Sequence, residues 1–231
     1  MQNPQFWKKY FRVYDVLNLL IPYQELLNSL VNDLHIKPGD KVLEAGCGTG
    51  NLALKIKQKG AEVVGIDYSK EALDIYKSKD KSVDVKQHDL TEKLPFPDES
   101  FDKIASNNVL YAIPQKYHSG IMKEFHRVLK PGGRIAMSNL RKGWSPYNIY
   151  KNGVKASAEK DGLLAAILLV TKVLIPTIKI FYYNASLQTA EKNHFFKKGE
   201  QKQLLKEAGF KKVNDEKEVY AKQALLVSGI K

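Results

Sequence analysis

The chain has 231 residues, which is enough for one domain with a sizeable core, or for one domain and a lid. Hydrophobic residues make up 43% of it and charged residues 27%, the balance of a globular soluble protein. The net charge of +12 favours anionic partners, although a lysine-rich surface that serves solubility gives the same count. Cys47 is the only cysteine, which excludes an intrachain disulfide and a cysteine metal cluster.

The first 36 residues predict a helical segment. Apolar residues recur at helical spacing from Phe6 to Leu17, Pro22 interrupts the pattern, and leucines resume it as far as Leu34. The aromatic residues here fit either a flap over a ligand, with Tyr10 or Tyr14 near it, or an amphipathic helix packed on a sheet. The segment has no uninterrupted apolar core and no cleavage signal, so we expect a cytoplasmic protein.

Residues 41–50, KVLEAGCGTG, predict a buried strand, a tight glycine turn and the start of a helix. Glu44 lies at the end of the strand, and glycines follow at positions 46, 48 and 50. Glycine permits positive φ and the close approach of a ligand. A dinucleotide-binding turn would place its third glycine at position 51, which is Asn51, and a phosphate-binding loop would need a Gly-Lys pair that this turn lacks.

The segment 61–69, AEVVGIDYS, predicts a second buried strand that ends in Asp67. A carboxylate at the end of this strand can accept hydrogen bonds from both ribose hydroxyls of an adenosine cofactor. Asp67 therefore predicts an adenosine-type ligand without separating NAD from S-adenosylmethionine. Ser69 fits the N-cap of the following helix. Residues 82–90, SVDVKQHDL, predict the third strand.

The string E-x-G-x-G-x-G resembles the first motif of class I S-adenosylmethionine-dependent methyltransferases. The similarity covers roughly residues 35–140, including LPFPDESFDKIASNNVLYAI at 94–113 and RVLKPGG before the fifth strand, with a weaker similarity near 195–231. YDVLN at 14–18 is similar to quinone-biosynthesis members. The resemblance implies an α/β, Rossmann-like fold: a seven-stranded, mostly parallel sheet with helices on both faces and an antiparallel last strand.

The resemblance also implies the cofactor S-adenosyl-L-methionine, with S-adenosyl-L-homocysteine as product, and no metal. Asp89 would accept a hydrogen bond from the adenine amino group, and Leu90 would offer its backbone N–H to the ring. Asn107 would contact the methionine part, because ligands of open α/β sheets bind at the carboxyl edge. The candidate cofactor-binding residues are Tyr14, Glu44, Gly46, Cys47, Gly48, Gly50, Asp67, Tyr68, Asp89, Leu90 and Asn107.

The catalytic residues stay unknown at this point. An oxygen or carbon acceptor with a high pKa would need a general base. Tyr14, Tyr111 and His118 are the candidates, while N- or S-methylation could proceed without a base. His118 and His126 also fit surface or packing positions in the helix predicted at 114–129.

Residues 141–195 predict a helical substrate lid inserted after the fifth strand. Within it, LLAAILLVTKVLIPTIKIFYY at 163–183 is long enough to span a membrane, but Lys172 and Lys179 are costly in a bilayer. A lid, an interfacial membrane contact and a dimer interface stay open for this stretch. The predicted organisation is an N-terminal helical cap at 1–36, a cofactor-binding core at 37–140, the lid, and a C-terminal helix with two strands at 196–231.

The predicted function is methyl transfer to a small lipophilic acceptor, such as a quinone precursor or a phospholipid, with peripheral contact to an anionic membrane. A polar small-metabolite acceptor and a non-catalytic cofactor-binding module are the alternatives. Nucleic acid is not expected as a partner, because the sequence has no appended RNA-binding module and no basic and aromatic platform. The oligomeric state stays open.

Overall fold

A computed structural model describes residues 4–190 and 193–231. Residues 1–3 of the predicted cap and 191–192 of the predicted lid lie outside the described residues. Seven strands form one sheet, in the order β3-β2-β1-β4-β5-β7-β6. The strands are β1 Lys41–Ala45, β2 Glu62–Asp67, β3 Asp84–Gln87, β4 Phe101–Asn107, β5 Leu129–Leu140, β6 Lys217–Val219 and β7 Ala224–Ile230.

Strand direction confirms the predicted Rossmann-like sheet. The pairs β1–β2, β2–β3, β1–β4 and β4–β5 are parallel. The last strand, β7, is antiparallel to both of its neighbours, β5 and β6. Strand order reverses between β1 and β4, and in open α/β sheets a ligand binds beyond the carboxyl ends of the strands at such a reversal.

The helices lie around this sheet. They are α1 Pro4–Tyr14, α2 Ile21–Leu34, α3 Asn51–Lys57, α4 Lys70–Lys79, α5 His118–Val128, α6 Pro146–Asp161, α7 Leu163–Thr189 and α8 Glu200–Glu207, with a 3-10 helix at Asp15–Leu19. Pro22 does not interrupt a helix as predicted. It occupies the first turn of α2, where its missing N–H costs no helical hydrogen bond, and the chain changes direction at the 3-10 helix before it.

Three element boundaries differ from the sequence prediction. The third strand is shorter than 82–90, so Asp89 and Leu90 lie in the loop beyond β3. The fifth strand begins at Leu129, inside the RVLKPGG string that was expected to precede it, and a register shift between Phe101 and Lys103 accommodates the extra residues. The helix predicted at 114–129 is a 3-10 turn at Gln115–Tyr117 followed by α5. Each difference reflects tertiary pairing, which local patterns do not encode.

Helices α6 and α7 lie between β5 and α8 in the chain and pack on each other, and α7 also packs on α1. The ring of Tyr183 on α7 contacts Phe6 and Tyr10 on α1, with centroids 5.7 Å and 6.1 Å away. The two segments predicted as cap and lid are therefore in contact. Their roles as cap and lid remain predictions.

Candidate active site

The glycine loop connects β1 to α3 at the point where the strand order reverses. The backbone N–H groups of Gly46 and Cys47 both donate to the carbonyl of Ile66, at 2.8 and 3.0 Å, which ties the loop to β2. Gly46, Gly48 and Gly50 all have positive φ. A Cβ on Gly48 would lie 3.2 Å from the ring of Phe11, so the loop leaves little room for a side chain there.

The carboxylate of Asp67 is fixed by two backbone groups. Its Oδ2 accepts a hydrogen bond from the N–H of Gly48, and its Oδ1 accepts one from Ser69, each at 2.8 Å. Burial raises the pKa of Asp67 above its ordinary value of 3.8, and the two N–H groups partly counter this effect. A carboxylate oxygen has two lone pairs, so both oxygens can still accept a hydroxyl of a ligand.

A cavity of about 150 Å³ opens beside the glycine loop, and ten of the eleven predicted cofactor-binding residues line it. The exception is Gly50, which does not line the cavity. It is the N-cap residue that precedes α3 and has a φ of +78°. A Cβ at this position would lie 2.2 Å from the ring of Tyr76. The ten are Tyr14, Glu44, Gly46, Cys47, Gly48, Asp67, Tyr68, Asp89, Leu90 and Asn107. Their roles as ligands remain predictions.

Four buried polar atoms on the wall of this cavity have no hydrogen-bond partner within the described chain. They are Glu44 Oε2, His88 Nε2, Asn108 Oδ1 and Trp144 Nε1. Buried polar atoms in proteins are nearly always paired, because each unpaired atom is costly. Two other unpaired atoms among the described residues, Tyr76 Oη and Asn193 Oδ1, belong to residues that do not line the cavity. The grouping of the first four on one cavity indicates a polar ligand, and it fits a group that carries both a charged end and a nucleoside.

Of these four residues, Glu44 is the one with a buried carboxyl group. Its side chain is buried, with 2% of its surface exposed. Burial raises its pKa well above the ordinary 4.5, and the nearby charge of Asp67 raises it further. A cationic group in the cavity would favour the ionised form of Glu44 and relieve both effects.

Asn107 and Asp89 are held by local hydrogen bonds. Asn107 Oδ1 accepts a hydrogen bond of 2.7 Å from Ser138 Oγ. Its amide nitrogen is therefore the group that can donate to a ligand. Asp89 Oδ1 accepts hydrogen bonds from the backbone N–H and the hydroxyl of Thr91, both at 2.9 Å.

Burial shifts the pKa of each of the three candidate bases, and a catalytic role for any of them remains a prediction. Burial raises the pKa of Tyr14 and of Tyr111, so both phenols keep their protons at neutral pH. His118 does not line the cavity; its Nε2 lies 2.9 Å from the carbonyls of Leu110 and Ile113. Burial also lowers its pKa. Its position fits the packing role that was the other prediction for it.

The sequence did not point to Tyr23 and Tyr220, which line the cavity together with Tyr10 and Tyr14. Tyr14 and Tyr23 bring their hydroxyls to 3.2 Å, and Tyr10 and Tyr220 lie nearby on the same wall. Burial raises the pKa of each of these phenols. Tyr220 comes from the turn between β6 and β7, nearly two hundred residues after Tyr23. Helical spacing could place Tyr10 and Tyr23 on helices, but no local pattern could bring Tyr220 to them.

The sequence also gave no sign of the contacts that join the N-terminal segment to the glycine loop. Asp15 Oδ1 accepts hydrogen bonds from Thr49 Oγ1 at 2.7 Å and from Asn51 Nδ2 at 3.1 Å. Asp15 also forms an ion pair of 2.7 Å with Lys79 on α4. The 3-10 helix at Asp15–Leu19 is therefore attached directly to the glycine loop.

The chain is similar to proteins of known family. Residues 43–137 match a family model described as a methyltransferase domain. A demethylmenaquinone methyltransferase from Bacillus cereus is 31% identical over an alignment of 155 residues, with coverage of 59% of this chain and 65% of that protein. A demethylmenaquinone methyltransferase from Bacillus anthracis is 32% identical over 156 residues, with the same coverage. The chain thus spans 65% of the length of these curated relatives.

Solved structures give the same picture of the fold. A SAM-dependent methyltransferase from Aquifex aeolicus superposes with a TM-score of 0.62 at 18% identity, covering 100% of this chain and 99% of that one. Magnesium protoporphyrin IX methyltransferase from Synechocystis, solved with bound SAH, superposes with a TM-score of 0.58 at 17% identity, covering 89% and 80%. Residues 43–137 thus match a methyltransferase domain, and the fold around them is similar to that of solved SAM-dependent methyltransferases.

Proposed function

We propose that this protein is an enzyme that transfers a methyl group from S-adenosylmethionine to a small, lipophilic acceptor. The observation that carries the proposal is the position of Asp67: its carboxylate is fixed by the glycine loop on a cavity whose wall holds four unpaired polar atoms. A nucleoside with a charged tail satisfies such a set of groups, whereas an apolar ligand alone would leave them unpaired.

The proposed roles of the residues that would hold the cofactor come from the family resemblance, and their shared position on one cavity supports them. Asp67 would accept the ribose hydroxyls, Asp89 and Leu90 would contact the adenine, and Asn107 would donate to the methionine carboxylate. Glu44 would face the positive charge of the bound group. When bound, S-adenosylmethionine supplies an electrophilic methyl group on its sulfonium.

The rest of the cavity favours an apolar acceptor. Apolar residues from β5, α6 and α7 also line it, among them Leu140, Ile149, Ile180 and Phe181. Apolar walls exclude water and hold an acceptor in line with the donor, and orientation of this kind contributes several kcal/mol to lowering a barrier. The tyrosine hydroxyls remain protonated and can donate hydrogen bonds to an acceptor oxygen. The relatives named for demethylmenaquinone support a quinone precursor as the acceptor.

Two other acceptor classes define the alternatives. A polar metabolite would have to pair with the tyrosine hydroxyls and would leave the apolar wall without a partner. A non-catalytic module would bind the cofactor and transfer nothing. We further propose that the protein is cytoplasmic and that it contacts anionic membranes from that side.

Transfer of labelled methyl groups distinguishes these functions. The purified protein is incubated with methyl-labelled S-adenosylmethionine and a host-cell extract, which is then separated into organic, small-polar and RNA fractions. The proposal predicts label in the organic fraction. Label in the small-polar fraction alone would replace the apolar acceptor with a polar one. Bound cofactor with no label in any fraction, across extracts from several growth conditions, would favour the module.

A further inference from the structure

Helix α7 exposes an unusually large apolar surface. Of the twelve large hydrophobic side chains that are exposed among residues 4–190 and 193–231, eight belong to this one helix. They are Leu163, Leu164, Ile167, Leu168, Leu174, Ile175, Ile178 and Tyr182, and we call them the outer face of α7. A contiguous apolar surface of this kind marks a binding site for a protein or a membrane.

The opposite side of α7 packs on the protein. Its buried residues Ala166, Val173, Ile180 and Leu187 recur every seven positions, so they form one narrow stripe along the helix. The same side contributes Thr177, Ile180 and Asn184 to the wall of the active-site cavity. Helix α7 is thus a thin partition with the cavity on one side and the outer face on the other.

The charges on α7 itself are all positive, and the neighbouring helix α6 carries three lysines and two acidic residues, Glu159 and Asp161. At about 100° per residue, Lys172 and Lys179 lie above one another on a single flank of the outer face. Helix α7 contains no acidic residue, and both lysines are exposed. On the neighbouring helix α6, Lys151, Lys155 and Lys160 are also exposed, and Glu159 there already pairs with Lys155 at 3.6 Å.

We infer that the outer face of α7 docks on an anionic lipid bilayer, with the helix lying in the plane of the interface. Apolar side chains would enter the acyl boundary while lysine stems extend their ammonium groups to lipid phosphates. Tyr182, 75% exposed, suits the headgroup level at which tyrosines are enriched in membrane proteins. The excess of positive charge over the whole chain, +12, acts in the same direction.

Two other arrangements fit the observations less well. A second copy of the chain seated on the outer face would bring lysines toward lysines, with no acidic residue of α7 to pair with them. Length and composition would allow α7 to span a membrane. The helix has 27 residues, and 17% of its most apolar 18-residue window is buried. A spanning α7 would, however, carry Lys172 and Lys179 into the hydrocarbon. It would also remove from the cavity the lining residues that α7 contributes.

Docking in this orientation would place the partition between the bilayer and the cavity. A lipophilic acceptor could then move from the membrane into the cavity around α7 without crossing water. This last step rests on the proposed methyl transfer, whereas the docking, which names the surface for the membrane contact proposed above, does not.

Flotation of the full chain with lipid vesicles tests the docking. We expect the protein to float with vesicles of equimolar phosphatidylglycerol and phosphatidylcholine, and not with phosphatidylcholine alone. The double variant Ile175→Ser/Ile178→Ser removes two exposed apolar side chains that do not line the cavity, and it should weaken binding by about tenfold or more. Lys172→Gln/Lys179→Gln should weaken it several-fold, and the matched pair of exposed lysines changed in Lys77→Gln/Lys81→Gln should not.

Four outcomes would overturn the inference. They are no flotation of the unaltered protein, equal binding by the Ile175→Ser/Ile178→Ser variant, resistance of the bound protein to extraction by carbonate, and a dimer in sedimentation that this variant dissociates. Carbonate resistance would indicate a spanning helix, and the dimer would indicate a second copy on the outer face. Calorimetric titration of each variant with S-adenosylmethionine, without lipid, keeps this test separate from the proposed function: a chain that binds no cofactor can still float.

Discussion

Thr49 donates a hydrogen bond of 2.7 Å from its hydroxyl to Oδ1 of Asp15. The bond joins the glycine loop to the 3-10 helix that follows α1. Phe11, one turn earlier in the chain, lies over Gly48 of the same loop. The N-terminal segment therefore covers the loop and is held there by Asp15.

Replacing Asp15 should loosen this cover. In Asp15→Ala, Thr49 and Asn51 lose their acceptor and Lys79 loses its ion pair, which should cost about 1–2 kcal/mol of stability. Trypsin should then cut α1 faster at Lys8, Lys9 or Arg12, because the helix detaches more often. The control is Asp74→Ala, an exposed aspartate on α4. Equal cleavage rates in both variants would show that Asp15 does not hold the segment.

Gly50 and Gly120 form a matched pair for alanine substitution. Gly50 has φ of +78°, and a Cβ there would overlap the buried ring of Tyr76, so Gly50→Ala should destabilise the fold by about 2–4 kcal/mol. Gly120 lies in α5, and a Cβ added there would meet open space, so Gly120→Ala should stabilise the fold by about 0.5–1 kcal/mol. Urea denaturation measures both. A neutral Gly50→Ala would mean that the turn tolerates a side chain.

Glu44 should make stability depend on pH. Because burial raises its pKa in the folded chain, the folded state holds this proton more tightly than the unfolded state does. Stability without cofactor is therefore lost as pH rises from the ordinary pKa of 4.5 through the raised value. Glutamine does not titrate, so Glu44→Gln should unfold at a higher temperature than the unaltered chain, with a gain that grows as pH rises above the ordinary pKa of 4.5.

The same substitution should weaken cofactor binding, because the negative charge that faces the positive group is lost. Glu92→Gln, an exposed position, serves as the control for both measurements. A thermal stability gain that is the same at every pH would show that the pKa of Glu44 is not raised in the folded chain.

The sequence predicted the parts of the site that lie at strand ends. The glycine loop and Asp67 follow buried strands, and a parallel sheet brings the carboxyl ends of neighbouring strands to one edge. The position of these residues on one cavity therefore follows from local patterns and the topology together. Gly50 belongs to the same alternating glycine pattern as Gly46 and Gly48, yet it faces Tyr76 instead of the cavity.

The remainder of the site depends on long-range packing. The attachment of Asp15 to Thr49 joins residues 34 positions apart, and Tyr23 meets Tyr220 from the opposite end of the chain. Neither contact has a periodic signature. Helix α7 reads as apolar on all sides, so the sequence alone could not tell which side packs on the protein; the seven-residue stripe of buried positions is visible only in the structure.

Calorimetric titration with S-adenosylmethionine is the most direct test of the central claim, that the cavity beside Asp67 binds this cofactor. The unaltered chain should bind one equivalent. Asp67→Asn should bind about 10- to 100-fold more weakly, because a charged acceptor of hydroxyl groups is lost, and Asp84→Asn, an exposed change on β3, should bind normally. No binding by the unaltered chain, or equal binding by Asp67→Asn, would contradict the account.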